Sequence, residues 1–177
     1  MGPEQPKLTR RESNAQNMNA SSALVANQNA RAFPAIFWAG LLCGCMDISA
    51  AFITWHLKGV KPVRLLRGIA AGLLGNKSFD GGIPTAALGL GIHYLVAFTA
   101  ATVFYFASRK LTFMTRQPFL YGPVYGILVY TFMYWVVMPL SARHPAPFSW
   151  TNTIVAILTH IVCVGTPIAL VESHFSR

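Results

Sequence analysis

FPAIFWAGLLCGCMDISAAFITW, residues 33–55, is the stretch whose reading decides the fold. It is apolar throughout except for one carboxylate, Asp47. A helix of about 23 residues, rising roughly 1.5 Å per residue, is long enough to cross the ~30 Å hydrocarbon core of a bilayer. A charge at that depth is costly unless it is paired or protonated. A partner for Asp47 must therefore come from elsewhere in the chain.

Outward from this run, three more apolar stretches of spanning length follow, at 84–107, 119–140 and 151–171. The pattern predicts an all-α fold, a transmembrane four-helix bundle. Residues 1–32 are polar, rich in Asn, Gln, Ala and Ser, and lack apolar periodicity, so they read as a disordered tail. Residues 173–177 form a short second tail. Between the first two spans, residues 62–75 (PVRLLRGIAAGLLG) place Val63, Leu66, Ile69, Ala70 and Leu73 at helical spacing. Arg64 and Arg67 lie off that stripe. This is the pattern of an interfacial amphipathic helix, with a re-entrant segment as the alternative.

Composition agrees. Hydrophobic residues make up 54% of the 177-residue chain and charged residues 11%, and the mean hydropathy is +0.46. A soluble domain carries roughly a quarter charged residues. The net charge of +9 does not mark a nucleic-acid binder, because the basic residues flank the apolar runs and form no separate basic face. The expected partner is the lipid bilayer, joined by further copies of the chain or a larger membrane complex. Cys43, Cys45 and Cys163 all fall in apolar runs, and an odd number at membrane depth is no disulfide framework. Cys43 and Cys45 point away from each other on a helix, so they read as small packing residues rather than a metal pair.

Two GxxxG pairs, Gly40 with Gly44 and Gly122 with Gly126, are candidate helix-packing sites, since small residues let neighbouring backbones approach. Thr166–Pro167 is expected to disturb the last span. Counted from the face where the first connection lies, Asp47, His93 and His160 are each about eight or nine residues deep, roughly 12–14 Å. Tyr130 and Thr131 reach the same depth on the third span, with Tyr134 one turn nearer the surface. These six residues form a candidate buried polar layer. Such a layer either fixes helix rotation through interhelical hydrogen bonds or handles protons, ions or a small ligand. Two histidines at equal depth also allow an alternative, bis-histidine haem b ligation by His93 and His160. No nucleophile elbow, HExxH, CxxC or phosphate loop is present, so no catalytic residue is assigned and an enzyme is not expected.

Four crossings put both termini on one side. That side holds Lys7, Arg10, Arg11, Arg31, Arg109, Lys110, Arg116 and Arg177; the other holds Lys58, Lys61, Arg64, Arg67, Lys77 and Arg143. The larger basic count places the termini in the cytoplasm.

Several stretches resemble a family of small, uncharacterised inner-membrane proteins of bacteria. They are Gly40 to Asp47, the GLLG and GGxxTAxLG runs between Gly72 and Gly89, His93, the SRK after the second span, YGPVY at Tyr121 to Tyr125 with PLS at Pro139 to Ser141, and HxxxxGxPIAL from His160 to Leu170. The likeness covers about residues 35–172, and from His93 onward it is distantly similar to YagU-like proteins. It implies an address in the bacterial inner (plasma) membrane and a multi-pass topology, and no activity. The expected role, read apart from that likeness, is a permease-like or stress-related membrane component, with a scaffold or assembly subunit that uses the two GxxxG faces as the alternative. Tyr134 departs from the asparagine that the resemblance leads one to expect there.

Overall fold

The computed structural model describes residues 10–142 and 148–176, and every regular element among them is helical. The long helices are α1 (Arg10–His56), α2 (Pro62–Leu74), α3 (Gly82–Lys110), α4 (Pro118–Leu140) and α5 (Trp150–Phe175). Arg31–His56 of α1 and the whole of α3, α4 and α5 are long and apolar enough to cross a membrane. Arg143 and His144, which belong to the loop before α5, lie outside the described residues.

The first correction concerns the tail. Residues 10–32 are helical and continuous with the first span. Between Arg10 and Phe33 there is neither glycine nor proline, so nothing stops a helix once the apolar half nucleates it. Pro34 therefore sits inside a 47-residue helix, though still in the first turn of its membrane-length part.

α1 packs on α3 and on the second half of α5, and α4 packs on α5 as well. The shared core is made largely of small residues: Ala39, Cys43, Ala97, Ala100, Ala101 and Ala169, with Phe104, Tyr125, Val164 and Ile168 between them. Small side chains bring helix axes close, and dispersion is the main attraction where the surroundings are as apolar as the core. Gly40 lies under the Phe98 ring and Gly44 under Tyr94 and Ala97, which seats α1 on α3. Gly122 faces Gly165, Thr166 and Ala169, and Gly126 lies against the His160 carbonyl, which seats α4 on α5. α3 and α4 meet through Tyr125, whose hydroxyl donates to the Ala100 carbonyl at 2.7 Å while its ring meets Phe104 edge-on. Large apolar side chains such as Phe106, Phe119, Trp135 and Leu158 point outward, as lipid-facing positions do.

Both later spans contain a π-helical turn, Met133–Val137 in α4 and His160–Gly165 in α5. Each lies just ahead of a proline, Pro139 or Pro167. A proline ring clashes with the carbonyl four residues back, and a widened turn relieves that contact. In α5 the Thr166 hydroxyl then donates to the Ile161 carbonyl at 2.7 Å.

α2 is a helix of 13 residues, about 20 Å, too short to cross. It turns Gly68, Ala70 and Ala71 inward and packs on α3, where Gly89 lies against the Leu66 carbonyl. Val63 and Leu73 of the expected apolar stripe are exposed instead. Gly75 and Gly82, both at positive φ, bracket the turn that follows. Arg67 clamps it by donating to the Phe79 and Gly82 carbonyls, each at 3.0 Å. The amide of Ala142 donates to the Gly72 carbonyl at 2.8 Å, tying the end of α2 to the chain leaving α4.

Candidate functional site

Asp47 and His93 come together across the α1–α3 contact, with Oδ2 3.9 Å from Nδ1. The closeness follows from Gly44, one turn before Asp47. Without a side chain there, α3 approaches until the His93 ring reaches the Gly44 carbonyl, 2.9 Å from Nε2. A carbonyl can only accept, so Nε2 carries the hydrogen. Nδ1 is then the nitrogen left to gain or lose a proton, and it is the one that faces the carboxylate.

His160 follows the same plan on its own helix. Its Nδ1 donates to the Ala156 carbonyl at 2.8 Å, which leaves Nε2 as an acceptor. The ring is held edge-on by Tyr130, at 5.5 Å between centroids. The π turn begins at His160, so the widened backbone sets where this ring projects.

Asp47 and His160 line one cleft of about 200 Å³, together with Ala51, Thr54, Trp55, Lys58, Asn152, Val155, Ala156 and Thr159. Its origin is architectural. α1 packs on residues 160–175 of α5 but hardly touches residues 150–159, so the two helices part beyond His160. They meet again where the Lys58 ammonium donates to the Asn152 side-chain oxygen. Lys58 also stands over the Trp55 ring at 5.0 Å.

The six-residue polar layer does not form as one buried cluster. Asp47 and His93 are only partly buried, with side-chain exposures of 23% and 12%. Thr131 is exposed, and its hydroxyl donates to the Ile127 carbonyl of its own helix. Tyr134 is exposed and stacks on Tyr130. The reason is rotational. α4 presents Gly122, Tyr125, Gly126 and Val129 to its neighbours, and position 131 falls on the opposite side of a 3.6-residue turn. Equal depth set these residues at one level but said nothing of azimuth. Gly91, two residues before His93, faces open space.

The accepting nitrogen of His93 faces Asp47, and His160 lines the cleft of about 200 Å³. Among the described residues no group of three or more His, Cys, Asp or Glu side chains is placed to hold a metal ion. Cys43 is buried and Cys45 exposed, with the Cys45 sulfur 3.1 Å from the Tyr94 hydroxyl.

Two features escaped the sequence reading. Lys58 and Asn152 belong to matching stripes, Asp47–Ala51–Trp55 on α1 continued by Lys58 just past its end, and Asn152–Ala156–His160 on α5, and that i, i+3 and i, i+4 spacing was visible. Glu172 falls just past the expected fourth span, 151–171. It lies instead within α5, which runs on to Phe175, and it is 2% exposed. Neither of its carboxyl oxygens has a hydrogen-bond partner among the described residues. No signal in the sequence around it distinguishes it from an ordinary interfacial carboxylate.

No family model matches the chain, and neither a curated protein nor a solved structure matches it.

Proposed function

We propose that this is a multi-pass protein of the bacterial inner membrane in which Asp47, His93 and His160 hold and pass a proton or a small cation. One observation carries the reading: Asp47 faces the His93 imidazole at 3.9 Å and lines one cleft with the His160 imidazole, and each ring has one nitrogen committed to a backbone carbonyl and the other free to accept. Fixing one nitrogen orients the ring and leaves a single titrating position, as a relay requires. The address rests on the four apolar helices and on the resemblance given above. The excess of basic residues on the terminal side supports cytoplasmic termini.

The test is proton flux in liposomes containing the purified protein, followed by a trapped pH dye. The wild-type chain accelerates collapse of an imposed gradient, and Asp47→Asn slows it at least tenfold with an unchanged melting temperature.

A second reading is structural, and the His93–Gly44 hydrogen bond favours it because it staples α3 to α1. Interhelical hydrogen bonds in membranes average ~0.6 kcal/mol and fix helix rotation. Under that reading Asp47→Asn and His93→Ala lower the melting temperature, and the wild type passes no more protons than empty liposomes.

A further inference from the structure

We infer that the cleft between α1 and the first half of α5 is a binding site for a small organic primary amine, its ammonium group on Asp47. The inference rests on the reading of Asp47 as a cation-handling group and names the class of ligand.

The inner end of the cleft presents acceptors. Asp47 accepts no hydrogen bond among the described residues. His160 has given its Nδ1 hydrogen to Ala156, so Nε2 offers a lone pair. The Thr159 hydroxyl has given its hydrogen to the Val155 carbonyl at 2.9 Å, so its oxygen also accepts. A carboxylate with neutral acceptors beside it matches a group that carries a positive charge and several hydrogens, which is an ammonium. The donors in the lining, the Thr54 hydroxyl, the Trp55 indole N–H and the Lys58 ammonium, come about two turns or more further along the chain from Asp47, so a carboxylate or phosphate would not be drawn to the inner end.

The walls then specify the rest of the ligand. Ala51, Val155 and Ala156 are apolar and leave the space between the helices open. A bare inorganic cation would leave those walls unfilled, whereas a short alkyl substituent covers them. The volume of about 200 Å³ lies below the roughly 300–1,000 Å³ of ordinary ligand pockets, so the substituent is small. At the far end Lys58 and Asn152 join the two helices. Lys58 lies past the end of α1 at His56, and that end is itself about 14 Å from Asp47, so the Lys58 charge does not compete for the same end.

The experiment is calorimetric titration of the full chain in lipid nanodiscs with n-butylammonium, ammonium and n-butanol. Saturable binding of n-butylammonium is expected, with ammonium and n-butanol each at least tenfold weaker. Asp47→Asn is expected to weaken n-butylammonium at least tenfold. Val155→Trp, which fills the cleft without altering a charge, is expected to abolish binding should the Asp47 variant fail to fold. Equal binding of n-butanol would reduce the cleft to an apolar crevice. Equal binding of ammonium would make it an inorganic cation site, and an unaffected Asp47→Asn would remove the carboxylate from recognition; each of the three outcomes overturns the inference. Proton flux measured on the same preparations without amine separates the two readings. Flux without amine saturation sinks this inference alone, and saturation without flux sinks the relay alone.

Discussion

At the scale of single residues, the two carboxyl groups inside the helices have opposite circumstances. Asp47 has an imidazole within 3.9 Å and a cleft beside it, whereas Glu172 is sealed with both oxygens unpartnered among the described residues. A buried polar group left without a hydrogen bond costs about 1–3 kcal/mol, and replacing it with an apolar group of similar shape recovers that cost. Glu172→Met is therefore expected to raise stability by about 1–3 kcal/mol, read as a higher melting temperature in detergent. A lower melting temperature would mean that the carboxyl has a partner. His93→Ala removes one interhelical hydrogen bond and is expected to cost about 0.6–1.7 kcal/mol. The same thermal melt measures it, and a loss beyond that range would assign further contacts to the ring.

At the scale of elements, the helix pairs depend on absent side chains. A Cβ at Gly126 would run into the His160 carbonyl, whereas one at Gly91 would meet nothing. Backbone cannot step aside as a flexible side chain can. Gly126→Val is expected to destabilise the α4–α5 pair by about 1–3 kcal/mol or more, the usual cost of overpacking. Gly91→Ala should be neutral or slightly stabilising, since alanine has the better helix propensity. Equal melting temperatures for the two variants would refute the packing of α4 on α5. The outline of these elements was legible because hydrophobic length and glycine spacing are local signals: the apolar run around Asp47, for example, shows as a helix of spanning length. What was not legible depends on azimuth and on neighbours. Depth placed Thr131 level with Asp47, but only the rotation of α4 shows Thr131 turned outward. The cleft arises where α5 parts from α1, and the widened turn at His160 that accompanies it is not written in residues 150–159 alone.

At the scale of the whole molecule, an even number of crossings brings the two chain ends to one side. Reporter fusions at residue 177 and ahead of residue 10 are expected to give the same compartment, with a fusion in the turn at residues 75–82 giving the opposite one. Ends on different sides would mean that one of the four helices does not cross. The order of packing, α3 on α1, α1 on α5 and α5 on α4, places α1 between α3 and α5. Displacement of that helix therefore reaches the His93 contact and the cleft together, because both use the same face around Asp47.

α1 does not stop at the membrane-length segment. Its residues 10–31 continue the same helix for about 30 Å. A helix resists bending, so this extension works as a mast stepped into the bundle. Any tilt of the mast would move its foot, and the foot carries Asp47. Pro34 is the one interior proline on α1, and the missing hydrogen bond there softens the rod at a single joint. Force applied outside the bilayer is thus delivered to the carboxylate through one lever, and the stiffness of that joint sets how much arrives.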